Sequence, residues 1–169
     1  MADEKPPGGV TFGNVSIYRI TRFNHPEQKW LEAVLALRAE FGDNDSPEPF
    51  IRFVTRRLED ETMLLVLAWD GAQPIGYGLA FDVAEHPYMP EWTRAGYIAQ
   101  FLIAPGYRQQ GVGGLLMDYM DAWFNSRGLE KVLLNVNIGN EAGIRFWQKH
   151  DFQPYAMRMK RILKRSNQV

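Results

Sequence analysis

The chain has 169 residues, enough for one ordinary domain, and 46% of them are hydrophobic and 13% aromatic, which excludes wholesale disorder. Nineteen Lys and Arg against twenty Asp and Glu leave a net charge of -1, which argues against a general nucleic-acid coat. With no cysteine, thiolate nucleophiles, disulfides and Cys-built zinc sites are excluded, and His25, His86 and His150 lie too far apart in sequence to suggest a metal site. No apolar run approaches the roughly 20 residues of a membrane helix, so the expectation is a soluble, cytoplasmic protein without membrane or nucleic-acid partner.

Residues 1–14 read as a flexible tail around Pro6-Pro7-Gly8-Gly9, and 15–165 as one domain. Residues 15–20 alternate as a first strand. Pro26 then opens a helix on which Trp30, Leu31, Val34, Leu35 and Leu37 recur, with Gly42 as its stop. Ser46-Pro47-Glu48 starts a second helix, with Ser46 as cap and Phe50, Ile51, Phe53, Val54 and Leu58 as its apolar stripe. A hairpin follows, 63–69 and 75–83, about the turn signal Asp70-Gly71. Residues 97–103 read as a buried strand and are followed by Pro105. A helix from Gly113 carries Leu115, Leu116, Tyr119, Met120, Trp123 and Phe124 on one face and stops at Gly128. Strand 132–136, helix 140–150 and a terminal strand 155–163 complete a mixed α/β sheet covered by helices.

The most informative stretch is the turn after strand 97–103. Arg108-Gln109-Gln110-Gly111-Val112-Gly113 leads into Gly114-Leu115-Leu116, so glycines open an amphipathic helix. A helix start presents unpaired N–H groups, and glycines let a phosphate approach them, with Arg108 a positive charge at the rim. The physical reading is a pyrophosphate cradle. It is no Walker A loop, since a Gly-Lys-Ser/Thr ending is missing. A Rossmann turn would need a third glycine and a place after the first strand.

The segment resembles the GNAT acetyltransferase superfamily, whose Arg/Gln-x-x-Gly-x-Gly/Ala turn it matches from Arg108 to Gly113. A second family block is similar to Asn140-Glu141-Ala142 running on to Phe146-Trp147 and Asp151-Phe152. The resemblance implies the GNAT fold: a mostly antiparallel sheet, helices on both faces, and a V-shaped splay between the fourth and fifth strands. It implies an acetyl-CoA-dependent N-acetyltransferase acting by direct amine attack, with no acyl-enzyme and no metal. Phe101, Leu102 and Ile103 would border the pantetheine arm, with the backbone of Phe101 and Ile103 pairing to it. The N–H groups from Gln109 and Gln110 through Gly111, Val112, Gly113 and Gly114 would hold the pyrophosphate beside Arg108. Asn140, Phe146 and Trp147 would flank the arm on its other side.

The sequence departs from the family where chemistry is concerned. Trp147 stands where a tyrosine usually protonates the leaving thiolate, and an indole N–H is too weak an acid for that. The fourth strand offers Tyr97, Ala99 and Gln100 but no glutamate. A water chain from Tyr97 or a base among Glu85, His86 and Glu91 would replace it. Asp151 stands where the family has glycine. Asp43, Asp45 and Glu48 either attract a cationic acceptor or merely cap and solvate a turn. The basic run Arg158, Lys160, Arg161, Lys164 and Arg165 reads as the charged face of an edge strand. A catalytically weak acyl-CoA-binding module stays open, as do a small-molecule or peptide amine acceptor and a homodimer.

Overall fold

The computed structural model describes residues 9–21, 27–41, 46–84 and 94–162. Contacts divide the chain into two compact units, 1–135 and 136–169. The first holds β1 (Val10–Phe12), β2 (Val15–Arg19), α1 (Glu27–Glu40), α2 (Glu48–Arg57), β3 (Met63–Asp70), β4 (Gln73–Ala84), β5 (Arg94–Ile103), α3 (Val112–Ser126) and β6 (Val132–Leu134). The second holds α4 (Glu141–Lys149). The sheet runs β1-β2-β3-β4-β5-β6, antiparallel throughout except for the parallel β5–β6 pair.

The long apolar run of β3 is explained by burial on both faces. Met63, Leu65, Leu67 and Trp69 join Trp30, Val34 and Leu37 of α1 and Val54 of α2 in one cluster. The alternate residues Leu64, Val66 and Ala68 are buried on the face covered by α3. That helix sits close because two glycines let it: a Cβ on Gly78 would come within 2.6 Å of the Met120 sulfur, and one on Gly96 within 2.5 Å of the Phe124 ring.

Several expectations are corrected. Val10–Phe12, assigned to a tail, pairs with β2 through the two-residue turn Gly13-Asn14, where Gly13 has φ of 58°. The strand expected over 132–136 ends at Leu134. Ser46 does not cap α2: Pro47 holds the cap position, and the Ser46 hydroxyl donates to the Glu48 carboxylate. Phe53 leaves the apolar stripe and is 42% exposed. Residues 152–162 form no strand. Their period-two pattern gives a ribbon one apolar face, but a strand also needs a partner for its N–H and C=O groups. Among the described residues of that unit α4 is the one regular element. Tyr155, Met157, Met159 and Ile162 are accordingly exposed, and Arg158, Lys160 and Arg161 are not on a strand. Pro26, Gly42, Asp43, Asp45, Glu85, His86, Glu91, Lys164 and Arg165 lie outside the described residues. No helix among the described residues is long and apolar enough to cross a membrane.

Candidate active site

The fourth expected strand is β5, and one extra residue shapes it. Leu79 pairs with Gln100 but Ala80 with Ile98, so Ala99 is a bulge. A bulge bends its strand and tightens the twist. On the other side of β5 the parallel ladder to β6 covers only Gly96, Tyr97 and Ile98. Pairing with β6 stops where β5 bends, because β6 itself ends at Leu134, and β5 beyond Ile98 has no partner strand on that side among the described residues. The Ala104 N–H bonds the Ile75 carbonyl at 2.8 Å. Ala104 thus aims at β4, and by strand alternation the backbone groups of Phe101 and Ile103 face this unpaired edge. Leu102 aims its backbone at β4, opposite Tyr77.

The turn that follows is built to end at donors. A single 3-10 turn, Pro105–Tyr107, is fastened by the Tyr107 hydroxyl, which bonds Asp70 at 3.1 Å and Gln73 at 3.2 Å. Partial desolvation, with the Asp70 carboxylate next, raises the Tyr107 phenol above its usual value and keeps it a donor. Gln109 and Gly111 take left-handed backbone, φ 61° and 86°. Gly111 is the N-cap of α3 and offers no side-chain acceptor, so the N–H groups of Val112, Gly113 and Gly114 have none from the cap. A Cβ at Gly111 would meet nothing within 4 Å, so the space before these donors is open. Unpaired N–H donors at a helix start suit an anion.

Arg108 and Gln110 do something the sequence did not suggest. Arg108 Nε donates to the Ile103 carbonyl at 3.0 Å, and its guanidinium lies 4.7 Å over the Phe41 ring. The Gln110 amide donates to the Gly106 carbonyl at 2.6 Å. Both side chains brace the turn, and the rim charge is folded back toward the strand end.

Near the end of the β5–β6 ladder, Tyr97 accepts a hydrogen bond on its hydroxyl from Asn135 Nδ2 at 2.8 Å. Beside it the buried Tyr77 hydroxyl donates to Gln100 Oε1 at 2.8 Å. Phe81 stands opposite Tyr97 in the β4–β5 ladder, so both lie on the face covered by α1 and α2. Sequence reasoning missed Asn135 and Tyr77; a polar residue inside the apolar run 132–136 was the available signal for the first.

Asp82 is the buried acid nearest this end of β5, yet it is not poised as a base. Arg94 Nε at 3.0 Å, with Arg127 at 3.3 Å, holds its carboxyl below the usual range. It ties β4 to β5 and to the C-terminal end of α3. In the second unit, the Asn140 side chain caps α4 by accepting the Gly143 N–H at 2.9 Å. Trp147 packs edge-on against Phe146 at 4.9 Å and Phe152 at 5.3 Å between ring centres. Asp151 has φ of 63°, the left-handed conformation that glycine supplies in the family. Among the described residues no group of three or more His, Asp or Glu comes together to hold a metal.

No curated protein matches the sequence. Solved structures do match the fold. Aminoglycoside N-acetyltransferase AAC(6')-Iy, in complex with the bisubstrate analog CoA-S-monomethyl-acetylneamine, is 16% identical with a TM-score of 0.74, covering 91% of this chain and 100% of that one. Glucosamine-6-phosphate N-acetyltransferase from Arabidopsis thaliana is 14% identical with a TM-score of 0.68, covering 90% and 100%. A GCN5-related N-acetyltransferase from Ralstonia eutropha JMP134 is 20% identical with a TM-score of 0.68, covering 88% and 98%. The sequence itself matches the family described as "Acetyltransferase (GNAT) family" over residues 30–152, a span containing the bulged strand, the glycine turn and the α4 block, and the chain belongs to that family.

Proposed function

We propose that the protein moves the acetyl group of acetyl-CoA to a primary amine by direct attack. The observation that carries this reading is the unpaired edge of β5 after Ile98, with the uncapped start of α3 following the same strand. The N–H groups of residues 112–114 would receive the pyrophosphate of the cosubstrate. The backbone of Phe101 and Ile103 would pair with its pantetheine arm and polarise the thioester carbonyl, with Leu102 behind them. Asn140, Phe146 and Trp147 would also contact the cosubstrate, as the family resemblance implies.

The amine nitrogen forms a bond to the thioester carbon, the carbon–sulfur bond breaks, and coenzyme A leaves as thiolate. The nitrogen gives up a proton and the sulfur gains one. Tyr97, held by Asn135, would relay the proton from the amine through water, or Glu85 would accept it. No covalent enzyme intermediate is needed, in keeping with a chain that has no cysteine. Rate enhancement would come from positioning and from N–H groups facing the developing oxyanion. The acceptors named for two structural neighbours, aminoglycoside and glucosamine 6-phosphate, support a small-molecule amine.

Thermal shift and thiol release test the reading together. Acetyl-CoA should raise the Tm where ATP and NAD do not, and an amine panel should release coenzyme A thiol. Trp147 in place of the family's phenol favours a second reading, an acyl-CoA-binding module with little turnover. Binding of acetyl-CoA without thiol release would select it.

A further inference from the structure

α2 has two faces, and only one of them serves the core. Val54 is buried, Phe50 packs against the main cluster, and Leu58 just beyond the helix is buried with them. On the outer side Pro49, Arg52, Phe53, Arg56 and Arg57 follow the i, i+3, i+4, i+7, i+8 spacing of a single face and line a shallow cavity of about 320 Å³. Phe53 sits in the middle of the arginines, half-exposed.

The charge of this face is not balanced. Arg57 is answered by Asp60, at 3.1 Å and 2.9 Å. Arg52 and Arg56 form no ion pair within 4 Å among the described residues; the Glu48 carboxylate, which accepts the Ser46 hydroxyl, offsets only part of the charge, from the Arg52 end. An ordinary solvated helix face mixes both signs and carries no large phenyl group. A half-exposed phenyl flanked by two exposed guanidinium forks is instead the chemistry of an anion attached to an apolar body.

The face also leads to the end of the β5–β6 ladder. The Phe53 ring meets Phe81 edge-on at 5.8 Å, and the Arg57 guanidinium lies over both rings at 5.3 Å and 5.5 Å. Phe81 stands directly opposite Tyr97, and Tyr97 is in the last stretch of β5 that pairs with β6. Contacts thus run from the arginines through two phenyl rings to Tyr97.

We propose that the acceptor amine carries an anionic group, carboxylate or phosphate, remote from its nitrogen, and that Arg52 and Arg56 bind that group while Phe53 covers the body between. This rests on the acetyltransferase reading. The opposite preference, a cationic acceptor drawn by Asp43, Asp45 and Glu48, is an outcome of the test.

The test uses the full chain with saturating acetyl-CoA and three probes: 4-(aminomethyl)benzoate, benzylamine and spermidine. Wild-type kcat/KM for 4-(aminomethyl)benzoate should exceed that for benzylamine by about tenfold or more. In the double variant R52Q/R56Q its KM should rise about tenfold while the KM for acetyl-CoA stays, and R52K/R56K should recover part of the loss. Binding of phenyl phosphate, read as a Tm increase, should disappear in R52Q/R56Q. Both arginines are exposed, and circular dichroism confirms that the variant folds. Equal or better turnover of benzylamine or spermidine overturns the proposal and leaves the acetyltransferase reading standing. An unchanged KM or an unchanged phenyl phosphate response in R52Q/R56Q also overturns it. Acetyl-CoA binding with no thiol release from any of the three probes overturns the acetyltransferase reading, and the acceptor proposal with it.

Discussion

Replacing Gly111 by Asn and by Asp separates backbone strain from charge at the proposed cradle. Gly111 has φ of 86°, and a Cβ there would meet nothing within 4 Å, so neither side chain clashes with the protein. Asn and Asp both tolerate left-handed backbone, at a shared cost of about 1 kcal/mol relative to glycine. The two variants should therefore lose similar stability. Only Asp adds a negative charge. A carboxylate about 7 Å from one phosphate charge, at an effective dielectric of about 40, is repelled by ~1.2 kcal/mol. With two phosphate charges in reach and partial screening, G111D should bind coenzyme A at least about tenfold more weakly than G111N, or ~1.4 kcal/mol. Isothermal titration of both variants, with Tm as the fold control, reads this directly. Equal affinities in two folded variants would refute a pyrophosphate at this turn.

G96A forces a Cβ against the rigid Phe124 ring and should cost about 1–3 kcal/mol, while G78A, facing the flexible Met120 sulfur, should cost less; urea unfolding measures both. Asp60 is held down to about 2, chiefly by hydrogen bonds from the Thr62 hydroxyl and N–H, then by Arg57. Its folded pKa lies below its unfolded value of about 3.9, so its contribution is complete above that value and lost as pH falls through the folded pKa. The stability gap between wild type and D60N should then narrow from pH 5 to pH 2, and a constant gap would contradict it. Trp147→Phe should keep most turnover, whereas Trp147→Ala should weaken coenzyme A binding by removing its contacts with Phe146 and Phe152. Loss of all turnover in W147F with normal coenzyme A binding would mean that the indole N–H is needed in the reaction.

What could be read in the sequence was what local chemistry decides alone. The Asp70-Gly71 turn, the doubly buried run of β3 and the glycines opening α3 each announce themselves in a few residues. Phe53 shows where that fails. Phe53 and Val54 are adjacent and both apolar, a helix presents them about 100° apart, and only packing decides which one the core takes. The arginine face stayed hidden with it. Arg108 read as a rim charge because its acceptor, the Ile103 carbonyl, becomes reachable only after the chain folds back over the 3-10 turn. The alternation over 155–163 was real, but alternation specifies a face and not a partner. Asn135 gave little warning, since its role depends on Tyr97, 38 positions earlier.

Ala99 left no signal whatever, and it links the fold to the proposed chemistry. Ile98 pairs with Ala80 and Gln100 with Leu79, so the flanking residues keep their proper faces with Ala99 standing outside the ladder. Deleting Ala99 would join them in a regular register without moving any buried side chain to the wrong face. The sheet should tolerate this, with a Tm within a few degrees of wild type. The strand would lose its bend, however, and with it the direction in which the backbone of Phe101 and Ile103 meets the proposed cosubstrate. Acetyl-CoA affinity should then fall at least about tenfold, or ~1.4 kcal/mol, in a protein whose core is intact. Titration of acetyl-CoA into the deletion variant, beside its thermal melt, decides the matter. Retained affinity in the folded variant would show that the bulge does not make the site.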